Sequence, residues 1–181
     1  MTRILPALAV ILLLALPTIA RAATYTLPGG ALPSGCSAAG NVVTCGSVDL
    51  GNNDTIVVTA AVTLNVSDFD MGNGASINAD KPASQLTINS ANDVRIGNNA
   101  TVNATINAQD DVTIGTNGAF IGDITAGDSL TIRNNSSVEG VCTPTHPLCS
   151  GTSTNLVPTA EYRLDEPAWS GAAGEVADSS G

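Results

Sequence analysis

Along residues 48–140, apolar and polar residues alternate in short bursts, and most bursts run into a glycine and an asparagine. The phrase "VRIGNNATV" at 94–102 returns as "VTIGTNGAF" at 112–120 and as "LTIRNNSSV" at 130–138. Looser versions stand upstream: "VDLGNNDTI" at 48–56 and "FDMGNGASI" at 69–77. One template covers them all: apolar, any, apolar, Gly (or Arg133), polar, Asn or Gly, small or polar, small or Thr, apolar. The copies start at 48, 69, 94, 112 and 130, so the intervals are 21, 25, 18 and 18. Self-similarity at such a period is the signature of a solenoid. Period 2 within each copy predicts strands.

Aligning the copies 18 residues apart produces columns of like residues. Val94, Val112 and Leu130 form one column, and Ile96, Ile114 and Ile132 another. Val102, Phe120 and Val138 form a third, and Ile106 and Ile124 continue to Cys142. A column that stays apolar through successive copies belongs inside. Eighteen residues at about 3.3 Å each give a circuit of roughly 60 Å, or three faces of roughly 20 Å. The predicted fold is all-β: a short parallel β-helix of about five coils, its strands stacked about 4.8 Å apart. An antiparallel sandwich would leave the recurring 18 unexplained. Asn99, Asn117 and Asn135 fall in register at a sharp corner, where asparagine tolerates the left-handed conformation. The extra residues of the third circuit, around "ADKPASQ", read as a surface loop with Pro82 outside the ladder.

The open ends of such a stack need covering. Residues 24–47 are placed to cap the first coil, the helix itself spans 48–140, and residues 141–157 form a loop and linker. Four cysteines suggest two disulfides, with local pairs Cys36–Cys45 and Cys142–Cys149 the simplest of three connectivities. The second loop, "CTPTHPLC", holds the single histidine, His146, and a disulfide is favoured there over a metal site.

The opening "MTRILPALAVILLLALPTIARAA" has an early arginine, an apolar block interrupted by Pro6 and Pro17, and small residues at its end. Residues 1–23 therefore read as a secretory signal peptide, with Ala20-Arg21-Ala22 or Arg21-Ala22-Ala23 at the junction. The block falls short of the roughly 20 residues that span a bilayer. The expected location is the periplasm, the outer cell surface or the extracellular space, with no membrane span after cleavage. Loss of Arg3 and Arg21 takes the formal charge from −10 to −12 and leaves Lys81, Arg95, Arg133 and Arg163 as the basic residues. Such a chain cannot neutralise a row of phosphates, which argues against nucleic-acid partners.

Candidate chemistry is sparse. Asp110 and Asp111 are the adjacent acidic pair within the coils, and Asp93, Asp111 and Asp128 (or a near neighbour) are expected to form an acidic column at one corner. Carboxylates so placed are calcium candidates, although solvated corners are the plainer reading. Arg95 and Arg133 are read as outward residues flanking Thr113. No nucleophile–histidine–acid set is available beyond His146, so neither an enzyme nor a cofactor is expected.

After "STNLVPT" the repeat ends. "AEYRLDEPAWSGAAGEVADSSG" is too short to close a core of its own. "TYTLPGGALPSGCSAAGNVVTC", then "LGNNDTIVV" with Gly/Asn-punctuated coils, then that tail, resembles the mannose-sensitive haemagglutinin (MSHA) pilus biogenesis protein Q family. Its tail resembles the opening strands of a laminin-G/concanavalin-like jelly roll, which places a truncated start of that domain at 158–181. The resemblance implies a large exported protein of Gram-negative bacteria, linked to a type IV pilus or to surface adhesion. The β-helix would then act as stalk or spacer, and the implied partners are pilus proteins, cell-surface proteins or glycans. Rival readings are a bactofilin-like self-assembling scaffold, a calcium- or glycan-binding module and a glycan-active enzyme.

Overall fold

The computed structural model describes residues 21–150. The expected signal segment up to residue 20 and the jelly-roll-like tail lie outside the described residues. Three sheets wrap one apolar interior. The first face stacks β4 (Val48–Leu50), β7 (Phe69–Met71), β10 (Val94–Ile96), β13 (Val112–Ile114) and β16 (Leu130–Ile132). The second stacks β1 (Thr24–Leu27), β5 (Thr55–Val58), β8 (Ser76–Ile77), β11 (Thr101–Asn103), β14 (Ala119–Ile121) and β17 (Ser137–Glu139). The third stacks β2 (Cys36–Ala39), β3 (Val42–Cys45), β6 (Val62–Val66), β9 (Leu86–Ser90), β12 (Thr105–Ala108), β15 (Ile124–Ala126) and β18 (Cys142–Thr143). Every pairing is parallel except that of β2 with β3. This is a β-solenoid of about five turns, closed by disulfides Cys36–Cys45 and Cys142–Cys149.

The four columns read from the sequence are the strand registers. Val94 pairs with Val112 and Val112 with Leu130; Ile96, Ile114 and Ile132 follow two residues later. Val102, Phe120 and Val138 stack on the second face, and Ile106, Ile124 and Cys142 on the third. Side chains of alternate residues point inward on a strand, so one apolar position in two builds a continuous core. The buried–exposed–buried pattern of β10 shows that alternation directly, with Arg95 outside and its neighbours within.

The stack starts earlier than the repeat template does. β1 pairs with β5, and β3 with β6, one level below the first full coil. β2 folds back on β3 as a hairpin in which Cys36 lies opposite Cys45, and it closes that end of the third sheet. At the other end the loop after β18 returns across the second face, where Ser150 N–H donates to Val138 O. Inside that loop His146 Nδ1 accepts from Leu148 N–H, and its carbonyl accepts from Cys149 N–H.

Between the first and second faces the chain turns through left-handed residues: Asn53, Gly74, Asn99, Asn117 and Asn135, at φ 62°, 68°, 54°, 56° and 58°. Asn117 Nδ2 donates to Asn99 Oδ1, which links two of these corners. Gly74 holds the same place in the second coil, so the corner needs a conformation more than a side chain. Asn99→Gly is therefore expected to change stability little, whereas Asn99→Ala should cost about 1 kcal/mol through the left-handed penalty alone. Denaturant midpoints of the two variants, read at equal slope, check this.

Candidate functional site

The polar side chains worth considering lie at the corners, because the strand alternation sends the apolar residues inward. At the corner that leads from the third face into the first, Asp68, Asp93, Asp111 and Ser129 sit at successive levels. Their carbonyl groups mark the register: Asp68 O accepts from Val48 N–H, Asp93 O from Phe69 N–H, Asp111 O from Val94 N–H and Ser129 O from Val112 N–H. Asp93 and Asp111 thus share a column as expected, but Ser129 continues it, not Asp128. Asp128 stacks one residue back, on Asp110 and Asn92. The pairing of Val112 with Leu130 fixes this, since Ser129 is the residue preceding Leu130.

Carboxylate oxygens in this column are acceptors for the next coil. Asp93 Oδ1 accepts from Asp111 N–H at 3.1 Å. Asp111 Oδ1 accepts from Ser129 N–H at 3.1 Å and from Ser129 Oγ–H at 2.7 Å. Asp68 receives Ser47 Oγ and Asn92 Nδ2. Arg95, on the outer side of the first face, pairs with Asp93 and reaches Asp70 at 3.7 Å. More than half of the Arg95 side chain is exposed, so these ion pairs are screened and contribute between nothing and about 1 kcal/mol each.

Calcium takes six to eight oxygens at about 2.3–2.6 Å. A calcium ion at Asp93 and Asp111 would compete with the bonds that stack the coils. Millimolar calcium is accordingly expected to leave the melting temperature unchanged, and a rise on titration would show binding.

Arg133 does not sit where the sequence placed it. Thr113 pairs with Arg95 on one side and Thr131 on the other. Arg133 falls in the glycine column: its N–H donates to Ile114 O, as Gly115 N–H donates to Ile96 O and Gly72 N–H to Leu50 O. The template had already marked Arg133 as the glycine substitute, and that fixed its place.

A second ladder runs beside the left-handed corner. Asn52 Oδ1 accepts from Asn73 N–H, Asn73 Oδ1 from Asn98 N–H, and Asn98 Oδ1 from Thr116 N–H, at 2.8–2.9 Å. On the third face, Asn107 Nδ2 donates to Asn89 Oδ1, and Asn89 Nδ2 to Asn65 Oδ1.

The remaining corner, from the second face to the third, carries both insertions. Compared with the 18-residue coils, the first coil has four extra residues here, at 58–61, and one fewer at the corner leading from the third face to the first, while the second coil has seven extra (25 − 18 = 7) at 79–85. The second insertion contains a short 3-10 turn, Ala83–Gln85, entered through Pro82. Two buried asparagines that sequence reasoning passed over hold it. Asn78 Nδ2 donates to Pro82 O and Asn103 O, and Asn103 Nδ2 donates to Ala79 O and Lys81 O. Asn78 directly precedes the insertion, and that position was the one available signal. A recess of about 120 Å³ opens beside this loop, lined by Thr55, Val57, Ser76, Asp80 and Lys81 among others. That is below the roughly 300 Å³ at which small-molecule sites begin.

One further residue escaped the sequence reading. Asp54 is buried, and its carboxylate accepts Gly51 N–H at 2.8 Å and Ala23 N–H at 2.6 Å. Its levels above are Ala75, Ala100, Gly118 and Ser136, a small-residue column with a polar group at each end. At the upper end Ser136 Oγ donates to Gly115 O and accepts from Gly118 N–H.

Fold and corners together define a disulfide-closed parallel β-solenoid whose polar side chains bond one coil to the next. No protein-family model, curated protein or solved structure matches the chain. Among the described residues no helix is long and apolar enough to cross a membrane.

Proposed function

We propose that this chain is an exported structural protein whose β-solenoid serves as a stalk or spacer in surface adhesion, in the manner of MSHA-type pilus biogenesis. The observation that carries the reading is the direction of the side-chain bonds. At the corners, Asp93, Asp111, Asn52, Asn73 and Asn98 each accept from a backbone N–H of the next coil. Asparagine and aspartate are thereby used to stiffen the long axis, which suits a spacer that must hold a distance. Disulfides at both ends fit an oxidising, extracytoplasmic setting. The pilus link rests on the order of the N-terminal, coil and tail motifs in the sequence.

Deleting the full-length gene tests the proposal. Loss or shortening of pili under the electron microscope, or reduced adherence to surfaces, is the expected result. Unchanged pili and unchanged adherence would remove it.

A bactofilin-like scaffold has one observation in its favour: β4 and β16 are the edge strands of the first sheet. Unpaired edges invite strand addition. Against it, the β2 hairpin covers β3 at one end of the third sheet, and the loop carrying Cys149 lies against β17 at one end of the second. Filaments of the purified protein under electron microscopy would favour the scaffold, and monomers alone would dismiss it.

A further inference from the structure

We infer that the leader is removed between Ala22 and Ala23, and that the α-ammonium so released becomes the ion-pair partner of buried Asp54. The inference rests on the export reading and narrows the two junctions that the sequence allows to one.

Asp54 is 7% exposed, and its two carboxylate oxygens meet the N–H groups of Ala23 and Gly51 at 2.6 and 2.8 Å. Among the described residues the ion pairs are those of Arg95, which leaves Asp54 with hydrogen-bond donors but no counter-charge. A buried carboxylate in that position is costly unless a positive group joins it. A peptide N–H at Ala23 supplies one donor and no charge. A free terminus at the same atom supplies a full charge and further donors, with no change in backbone position.

Ala23 is also the first residue the stack holds. Its carbonyl accepts Thr55 N–H at 2.8 Å, just before β1 pairs with β5. Arg21 and Ala22 are exposed and open to a protease. Cleavage one residue later would remove both the donor to Asp54 and the acceptor for Thr55. The repeat spacing agrees: β5 starts seven residues after β4 (55 − 48 = 7), so the strand preceding β1 would start at 17 (24 − 7 = 17). That position belongs to the leader, and the mature stack begins at this corner.

The step is a hydrolysis by a leader peptidase of the export machinery. Water adds across the Ala22–Ala23 peptide bond, and Ala22 departs as the carboxylate end of the leader. Ala23 keeps the nitrogen, which takes a proton.

The test is made on the full chain expressed with its leader in a Gram-negative host. Mass analysis of the N-terminal peptide is expected to give Ala23 with a free amine. In addition, Asp54→Asn is compared in the chain beginning at Ala23 and in one carrying Gly-Ser ahead of Ala23. The substitution should lower the melting temperature by roughly 3–6 °C in the first chain and by less than half of that in the second. Equal losses in both would overturn the ion pair, because the bond to Gly51 N–H is common to them. A processed chain starting at Thr24 or elsewhere would overturn the cleavage position and, with it, the ion pair, because the α-ammonium would no longer be that of Ala23. A chain that keeps its leader would overturn the export reading together with this inference.

Discussion

Phe120→Ala should be the most damaging single truncation in the solenoid, costing about 3–5 kcal/mol. Phe120 is fully buried on the second face, in the interior column that runs Tyr25, Ile56, Ile77, Val102, Phe120, Val138. Aromatic content is low, with two Phe in the whole chain, so neighbouring columns have few large side chains with which to refill the space. The coils above and below are hydrogen-bonded to β14 on both edges and cannot close in without breaking register. A cavity therefore remains, and the cavity adds to the lost transfer free energy. Domains of this size hold roughly 5–15 kcal/mol in all, so the loss is a large share. Denaturant unfolding of the variant beside the parent reads it directly.

Gly97→Ala is expected to cost about 2–3 kcal/mol for the opposite reason, overpacking against backbone. A Cβ built at Gly97 would lie 2.5 Å from both Gly72 O and Met71 O. Gly115 is in the same situation, with Gly97 C at 2.7 Å. These glycines are required by the close approach of one coil to the next, whereas Gly74 is required by its left-handed φ of 68°. Arg133 occupies the column only directly after β16, the edge strand of the first sheet, which can shift outward because it is paired on one side. Arg133→Gly should accordingly be tolerated, and the pair of melting curves separates a crowded position from a merely small one.

Much of this is legible in the sequence, and the reasons are local. Strict 18-residue spacing aligns Val94, Val112 and Leu130 without any knowledge of the fold, because a parallel stack converts sequence period into spatial register. Cysteines nine and seven residues apart made local disulfides the economical choice, and both formed. The left-handed asparagines followed from their place between two strands. What stayed hidden depends on position to within one residue or on contacts across the chain. Asp128 and Ser129 are adjacent and both polar, so composition does not say which of them continues the Asp93–Asp111 column. "TYTL" and "VVTC" lack the glycine–asparagine corner, and their part in the second and third sheets shows only once β5 and β6 are in place. Asp54 stands inside a template position that tolerates small or polar residues, and its partner Ala23 is 31 residues away. Asn78 and Asn103 occupy positions that alternation assigns to the surface, and the inserted loop covers them.

The account rests on interchangeable coils in 18-residue register, and deleting one coil tests it most directly. Removal of 112–129 joins Asp111 to Leu130 and sets Leu130 on Val94, Ile132 on Ile96, Val138 on Val102 and Cys142 on Ile106. Removal of 112–120 takes out half a circuit and sets Asp123 in the interior column on Ile96. Circular dichroism and thermal melting of the two chains give the answer. The first deletion should keep a β-rich spectrum and one cooperative melt at a lower temperature, while the second should be unfolded. If both deletions abolish structure alike, the stacked-register account is wrong.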